Sequence, residues 1–241
     1  MAWLAVLFGA FVGGATQTMM GFGASVVMML IYPYFFGLTV APSINTSVCL
    51  FLSGSVAWQK RDKIHWKTVL PAAAIFSVLS VFSIQMLGRL NLRVLALAFG
   101  AFLVFISLFY LLLDKRAQLR GTPLTMVVCS AVSGVFGGLF GVGGPLMAVY
   151  FLSVSNDTEE YTANIQGLFF FTNLVSLTTR ILKGLYTVPL LPYTIVGVLG
   201  VMGGKFLGLR LQGRMSLDKL RKAVYAFVGL CGVLNIVTEL I

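Results

Sequence analysis

Charged residues are scarce in this sequence, and acidic ones are the scarcest: Asp and Glu together number 7, against 17 Lys and Arg. There is one histidine, His65, and the three cysteines, Cys49, Cys129 and Cys231, lie far apart without CxxC spacing. A metal site or a disulfide framework needs such residues in clusters, so neither is expected, and the cysteines are interpreted as core side chains. No Asp or Glu lies deep within an apolar segment, which argues against a proton relay through a buried carboxylate.

The same scarcity argues against an enzyme. The best case for catalysis within the membrane is Ser53 or Ser55 with His65, because a nucleophilic serine needs a general base. Ser53 is in the middle of an apolar segment, whereas His65 is in the charged loop WQKRDKIHWK. Helical geometry separates the two, so we predict no catalytic residues, no metal and no cofactor.

Apolar residues are abundant instead: 59% of the residues are hydrophobic, 10% are charged, and the mean hydropathy is +0.97. A soluble domain cannot bury that much apolar surface, so we predict an integral, multi-pass protein of the cell membrane, surrounded by lipid. The basic residues stand in short clusters between apolar runs, which is typical of loops facing anionic headgroups and not of a nucleic-acid-binding surface. The N-terminal stretch lacks the basic residues of a cleaved signal peptide, and we interpret it as part of the mature fold.

Eight apolar segments follow one another, separated by charged residues or turn signals. Each is predicted to be helical, because lipid offers no hydrogen-bond partners to an open strand edge. Most are near the roughly 20 residues that a crossing needs, whereas the first and the fifth are longer than 30 residues. The segments cover 2–36, 39–59, 68–88, 92–113, 122–152, 161–182, 188–209 and 219–240.

The two overlong segments share a glycine-rich signature. The first contains GGATQTMMGFGASVVMMLIY and the second GVFGGLFGVGGPLMAVYFL, and an offset of 120 places Gly21 on Gly141. The same offset pairs Gly14 with Gly134. Offsets between 119 and 125 bring Asn45 near Asn164, Ser53 near Thr172, Pro71 near Pro192, and Gly88-Arg89 near Gly213-Arg214. We therefore predict one membrane domain, 1–241, built from two repeats, 1–118 and 119–241.

The threading of the overlong segments decides how the repeats are oriented. If each crosses once, the loop Lys and Arg residues divide nine against seven, which predicts almost nothing. If each enters and returns as a re-entrant hairpin, twelve lie on one side and four on the other. The positive-inside rule favours the hairpin, and we predict an all-helical fold of two inverted repeats, each a broken segment plus three transmembrane helices, with six full crossings and both termini outside.

Glycine in the broken segments suits an anion site. It lets the backbone leave a helix, and a helix that restarts after a break presents N–H groups at the positive end of its dipole. Pro145 suits the first turn of such a helix. The predicted anion-binding groups are the amides of Gly21, Gly23 and Ala24 with the Ser25 hydroxyl, and the amides of Gly141, Gly143 and Gly144. Close helix packing is the alternative, and it is preferred for the glycines at four-residue spacing: Gly134, Gly138, Gly200, Gly204 and Gly208.

Polar side chains inside membrane spans are costly and gather where a pocket forms. The candidates are Gln17 at the first hairpin tip, Asn45 and Thr46 at the start of the next helix, Asn164 and Gln166 in the equivalent place of the second repeat, and the deeper Asn173. Asn45 and Asn164 also suit helix caps, and both interpretations stay open. For Asn173 the alternative is an interhelical hydrogen bond.

Lys205 is the one lysine placed well inside an apolar segment, VGVLGVMGGKFLGLRL. It is interpreted either as a side chain that snorkels to the interface or as the countercharge of an anion. Arg180 and Lys183, at the end of their span, suit either an outer vestibule that attracts anions or a helix anchor.

The glycine pattern resembles a known family of permeases. GVFGGLFGVGGPLMAVYFL, with a degenerate copy about 120 residues earlier, is similar to the TauE/SafE family of sulfite or sulfonate exporters, and the resemblance covers essentially the whole chain. The first copy departs from the pattern, with Ala24-Ser25 in place of a Gly-Gly-Pro-like run and Gln17-Thr18 in place of Gly137-Gly138. The resemblance implies outward transport of sulfite or an organosulfonate.

We therefore expect a membrane exporter of a small anion, bound at the broken helices near the membrane midplane. A permease for another small anion or sulfur compound is the alternative, and a non-transporting assembly factor is a weaker one because it gives no reason for two repeat-related broken spans. The expected partners are the anion and membrane lipid. The coupling ion, either proton or sodium, and homo-oligomer formation stay open.

Overall fold

The computed structural model describes residues 1–89, 91–113 and 121–211, and beyond these residues 229, 230, 232, 233, 236 and 237. Within this part of the chain the regular structure is helical, with no strand, which confirms the all-helical class. Apart from these six residues, the expected segment 219–240 lies outside the described part of the chain. The α-helices are α1 (Ala2–Met20), α2 (Ala24–Ile31), α3 (Pro33–Gln59), α4 (Trp66–Met86), α5 (Leu92–Leu113), α6 (Pro123–Phe140), α7 (Gly144–Val154), α8 (Thr158–Leu182) and α9 (Leu191–Leu211).

Six helices of the described chain are long and apolar enough to cross a membrane: α1, α3, α4, α6, α8 and α9. This set differs from the expected crossings, because it includes α1 and α6, which were predicted as arms of re-entrant hairpins. With 19 and 18 residues, these arms are about 27–29 Å long, close to the thickness of the hydrocarbon core.

Large apolar side chains are exposed on the outside of the helices, as a lipid environment requires. Examples from four different helices are Leu4, Phe8, Phe51, Val78, Phe82, Leu199 and Phe206. The buried apolar core lies between the helices and includes Tyr32, Ile44, Phe99, Phe140 and Phe151.

Each overlong segment forms a helical hairpin. The chain leaves α1 at Gly21, and the start of α2 packs back on α1, with Ala24 against Gly13. Farther along, the Tyr32 hydroxyl donates a hydrogen bond to the carbonyl of Val6 at 3.0 Å. The two arms are therefore antiparallel, and the chain enters and leaves the hairpin at the same end.

The second hairpin repeats this arrangement with α6 and α7. The helix breaks at residues 141–143, and the Ser130 hydroxyl of α6 lies 3.6 Å from the Met147 sulfur of α7. The backbone is left-handed at Gly21 (φ 82°), Gly23 (φ 116°) and Gly141 (φ 68°). L side chains rarely adopt this conformation, so glycine is what permits both breaks.

The first helix of each hairpin packs against a helix of the other repeat. In the α1–α9 pair, a Cβ on Gly14 would lie 2.5 Å from the carbonyl oxygen of Val201. In the α4–α6 pair, a Cβ on Gly134 would lie 2.5 Å from the carbonyl oxygen of Phe76. The packing interpretation is confirmed for the glycines whose added Cβ would meet backbone or Cβ atoms of the facing helix: Gly134, Gly138, Gly200, Gly204 and Gly208.

The repeat-equivalent helices α3 and α8 run antiparallel. Gly54 packs against Phe170, and six residues further along α3 the Lys60 ammonium lies 3.4 Å from the Glu159 carboxylate. Residues nearer the end of α3 thus contact residues nearer the start of α8. Helix α9 runs parallel to α3, since Ser47 contacts Thr194 (2.9 Å) and Ser55 contacts Lys205 (3.1 Å).

The acidic run before α8 lies beside the basic loop that follows α3. Lys60 and Lys63 each lie 3.4 Å from Glu159, and the His65 Nδ1 atom lies 3.1 Å from Glu160. Partly exposed pairs of this kind contribute little to stability. Their value here is geometric, because they place the two loops at one end of the molecule.

Candidate functional site

The turns of the two hairpins approach each other in the interior of the described part of the chain, where Phe22 and Gly144 are both buried. A Cβ on Gly144, the first residue of α7, would lie 3.4 Å from the Cβ of Phe22 in the first turn. A small cavity lies beside this contact. It is lined by six of the predicted site residues: Gln17, Ser25, Gly141, Gly143, Gly144 and Asn173. We call it the central cavity.

Three further residues of the central cavity were not singled out from the sequence: Phe76, Phe169 and Ser176. Their positions in apolar helical segments gave no local signal. Cys49, interpreted as a core side chain, is buried at 5% exposure and also borders the cavity. Only the packing of α3, α4 and α8 around the hairpins reveals these residues.

Both short helices begin at the cavity. Helix α2 starts after Gly23 and α7 after Gly143, and neither start has a hydrogen bond from a capping side chain. Pro145 occupies the first turn of α7, as the sequence predicts. The first turn of a helix leaves backbone N–H groups without helical partners, and the dipole makes that end positive.

Asn45 is not a helix cap. It lies within α3, is fully buried, and its Nδ2 donates a hydrogen bond to the carbonyl oxygen of Gly141 at 3.1 Å. Thr46 is close to the same turn, since its hydroxyl would lie 3.3 Å from a Cβ on Gly141. The side chains of α3 thus hold the second hairpin tip in place.

Two glutamines do the same for the first tip. The Gln17 Nε2 atom donates to the Gln166 Oε1 atom at 3.0 Å, and the Gln166 Nε2 atom donates to the carbonyl of Gly21 at 2.9 Å. Both side chains are buried. Gln166 therefore ties α8 to the first glycine turn, in the role that Asn45 has at the second.

Asn164 lies elsewhere. Its Oδ1 atom accepts a hydrogen bond from the backbone N–H of His65 at 2.7 Å, which fastens α8 to the loop before α4. It is not a cap either, because Asp157 caps α8 by accepting from the N–H of Glu160 at 2.8 Å. Asn164, Gly23 and Ala24 line none of the three cavities described here.

A larger cavity of about 310 Å³ opens between α1, α3, α8 and α9. Gln17 and Gln166 form its inner wall, and Lys205 lines it, with Nζ 3.1 Å from the Ser55 hydroxyl. Lys205 is 7% exposed and turns toward α3, so it does not snorkel to the surface. A third cavity, of about 260 Å³, is lined in part by Gly21.

The central cavity itself is small. Its volume of about 20 Å³ is enough for a single water molecule. Gln17 lines both this space and the 310 Å³ cavity, so its hydrogen bond to Gln166 lies between the two. The space on one side of this hydrogen bond is therefore large, and the space on the other side, at the glycine turns, is narrow.

Comparison with known proteins supplies the last observation. The model of the sulfite exporter TauE/SafE family matches residues 5–234. A probable membrane transporter protein of Methanocaldococcus jannaschii is 22% identical over 230 aligned residues, which cover 88% of this chain and 86% of that protein. No solved structure matches the chain.

Proposed function

The chain belongs to the sulfite exporter TauE/SafE family, and on that premise we propose that it carries sulfite or an organosulfonate outward across the cell membrane. That it is a membrane permease follows from the family, from the transporter relative and from its six span-length apolar helices. The substrate and the direction of transport are the proposal.

The central cavity is the observation that carries this proposal. It lies where two helix starts and two glycine turns converge, and none of the residues that line it is acidic. Backbone N–H groups at a helix start bind oxyanions without a cationic side chain. Gly141, Gly143 and Gly144 with Ser25 and Asn173 would surround the anion, while Gln17 faces it from the 310 Å³ cavity.

The geometry also suits alternating access. Helices α3 and α8, which the repeat assigns to equivalent positions, run antiparallel, as inverted repeats require. The 310 Å³ cavity would be the entrance on one side, with Lys205 attracting the anion. We place the loop of residues 60–65 inside the cell and both termini outside, following the positive-inside bias of the loops.

Coupling would not use a carboxylate at the central cavity, since none of the described residues that line it is acidic. A proton would travel on the substrate itself, or sodium would use the carbonyl groups of the unwound turns.

The test is flux of sulfite and of short sulfonates in proteoliposomes, with and without an imposed pH gradient. Saturable flux of one of these anions above that of protein-free vesicles is the expected result, and a response to the gradient identifies proton coupling. Saturable flux of another small anion, with none of sulfite or sulfonate, would replace the proposed substrate. Absence of any anion flux from correctly folded protein would contradict the site.

A further inference from the structure

Arg180 is buried to a degree that its sequence position does not suggest. It stands three residues before the exposed Lys183 at the end of α8, where a vestibule or an anchor was expected, yet its exposed fraction is 0%. The Nη2 atom donates a hydrogen bond to the carbonyl oxygen of Gly138 in α6. The Nε and Nη1 atoms are buried without a hydrogen-bond partner in the described part of the chain.

Among the described residues, the charge of Arg180 has no ion-pair partner either. The ion pairs among the described residues join basic and acidic groups of the loop after α3 and of the start of α8, and none includes Arg180. An unpaired charge inside a protein is costly, and within a membrane such residues mark substrate or ion pathways. A buried cation with unused donors is suited to an anionic partner.

Arg180 lies one helical turn from the central cavity. Gly138 directly follows Gly137, which lines the cavity, and Ser176, one turn before Arg180 on α8, lines it too. The Ser176 hydroxyl lies 2.8 Å from that of Ser80 on α4. The guanidinium is therefore next to the cavity, on the face formed by α4, α6 and α8.

The repeat places this region opposite the 310 Å³ cavity. At an offset of 120, Gly138 corresponds to Thr18. Asn45 and Gln166 make matching contacts to the two glycine turns, which gives α3 and α8 an offset of 121 and pairs Arg180 with Gln59. Thr18 and Gln59 both line that cavity.

For α4 and α9 the offset is 125, because Phe76 faces Gly134 as Val201 faces Gly14. The contact of Ser80 with Ser176 therefore corresponds to the contact of Lys205 with Ser55. In one half, an open cavity is lined by Lys205 and by the Lys60–Glu159 ion pair. In the other half, the corresponding region is closed around Arg180.

We propose that Arg180 is a second anion-binding residue, which receives the anion on the closed side of the central cavity. Its Nε and Nη1 groups donate to the oxyanion, while Nη2 holds the carbonyl of Gly138 until the two halves exchange their open and closed arrangements. Lys205 and Arg180 thus serve the two sides in turn. This inference rests on the proposed function, because it names a second position for the same anion.

The test compares Arg180→Met with Lys183→Met. Lys183 is exposed just beyond the end of α8 and lines none of the three cavities, so the structure places it outside the proposed anion route. Purified proteins are titrated with sulfite, methanesulfonate, sulfate and thiosulfate at constant ionic strength, and anion binding is measured as a saturable rise of the unfolding temperature. Loss of a charged hydrogen-bond partner is expected to weaken binding about tenfold or more in Arg180→Met. Lys183→Met is expected to bind like the wild type.

The unfolding temperature measured without anion distinguishes anion binding by Arg180 from a purely structural role. Because Arg180→Met removes an unpaired buried charge, the anion-free variant is expected to unfold at or above the wild-type temperature. An unfolding temperature far below that of Lys183→Met would make Arg180 a structural tie and overturn the proposal. Arg180→Lys, which keeps the charge but not the fork of donors, is expected to bind with intermediate affinity and serves if the Met variant does not fold.

Flux measurements on the same variants separate this inference from the permease proposal. If Arg180→Met transports sulfite at the wild-type rate, the role of Arg180 is overturned and the proposed function stands. Binding through Arg180 without flux of the bound anion supports the site and contradicts the transport proposal for that anion. A wild-type protein that none of the four anions stabilises overturns the role of Arg180.

Discussion

Polar residues around the central cavity either hold a hairpin turn in place or border the cavity, and the sequence does not distinguish these two roles. Asn45 and Gln166 donate to the carbonyl groups of Gly141 and Gly21, which are freed where a helix ends. Asn173 borders the cavity instead. Substitution of the first kind leaves a buried carbonyl without its partner and costs stability, whereas substitution of the second kind changes the ligand's surroundings.

Lys205 gives the first prediction at this scale. Lys205→Met keeps most of the side chain's apolar bulk but removes the charge in the 310 Å³ cavity. We expect the KM for anion flux to rise about tenfold, with little change in the unfolding temperature. Arg210→Gln, an exposed cation on the same helix, is the control, and equal KM values for both variants would remove Lys205 from the anion's route.

The second prediction concerns Gly141. Gly141→Ala and Gly184→Ala each place a side chain at a left-handed φ, 68° and 70°, a strain of about 1–2 kcal/mol in both. A Cβ at Gly141 would also lie 2.8 Å from the Asn45 Nδ2 atom, whereas nothing lies within 4 Å at Gly184. We expect transport to be lost in Gly141→Ala alone, measured as flux per folded protein. Equal flux in the two variants would argue against a functional turn.

Pairs of helices are held by glycine faces rather than by polar contacts. Helices α1 and α9 approach until the backbone of one touches glycine positions of the other, and α4 and α6 do the same. In lipid there is little hydrophobic gain from pairing apolar helices, so close backbone contact supplies the stability. Each hairpin is thereby fixed to the opposite repeat.

Gly204 tests this packing. Its added Cβ would overlap the carbonyl oxygen of Phe11, whereas the neighbouring Gly203 would meet only the Phe11 ring, at 3.3 Å. Gly204→Val is expected to lower the unfolding temperature by several degrees or to prevent assembly, since separating the backbones costs about 1–3 kcal/mol. Gly203→Ala is expected to stay near the wild type. Equal stability of both variants would contradict tight α1–α9 packing.

In the molecule as a whole, the equivalent helices of the two repeats, α3 and α8, run in opposite directions. The loop after α3 and the loop after α8 follow repeat-equivalent helices that run antiparallel. The two loops therefore lie at opposite ends of the molecule.

Labelling from one side of the membrane tests this topology. With Cys49, Cys129 and Cys231 replaced by Ser, we expect an impermeant maleimide added outside intact cells to label Lys183→Cys but not Asp62→Cys. Permeabilised cells should show labelling of both. Labelling of both cysteines from outside would contradict the inverted arrangement, and the reverse pattern would place the termini inside.

The sequence by itself determined the class of the protein and the position of its breaks. A hydrophobic share of 59% requires lipid, and lipid requires helices. The breaks at residues 21–23 and 141–143 were predicted because glycine acts locally, on its own backbone. The resemblance to the TauE/SafE family rested on the same glycines and is confirmed by the family match.

Only the tertiary structure decided which polar groups meet. Gln17 and Gln166 are 149 residues apart, and Asn45 contacts Gly141 across 96 residues. Arg180 looked like a residue at a helix end, and its burial depends on α6 lying across it. Such contacts depend on how each helix is rotated about its axis and on the packing of each hairpin against the opposite repeat. Neither can be predicted from local sequence, because both are set by interhelical packing, which forms only when the helices assemble.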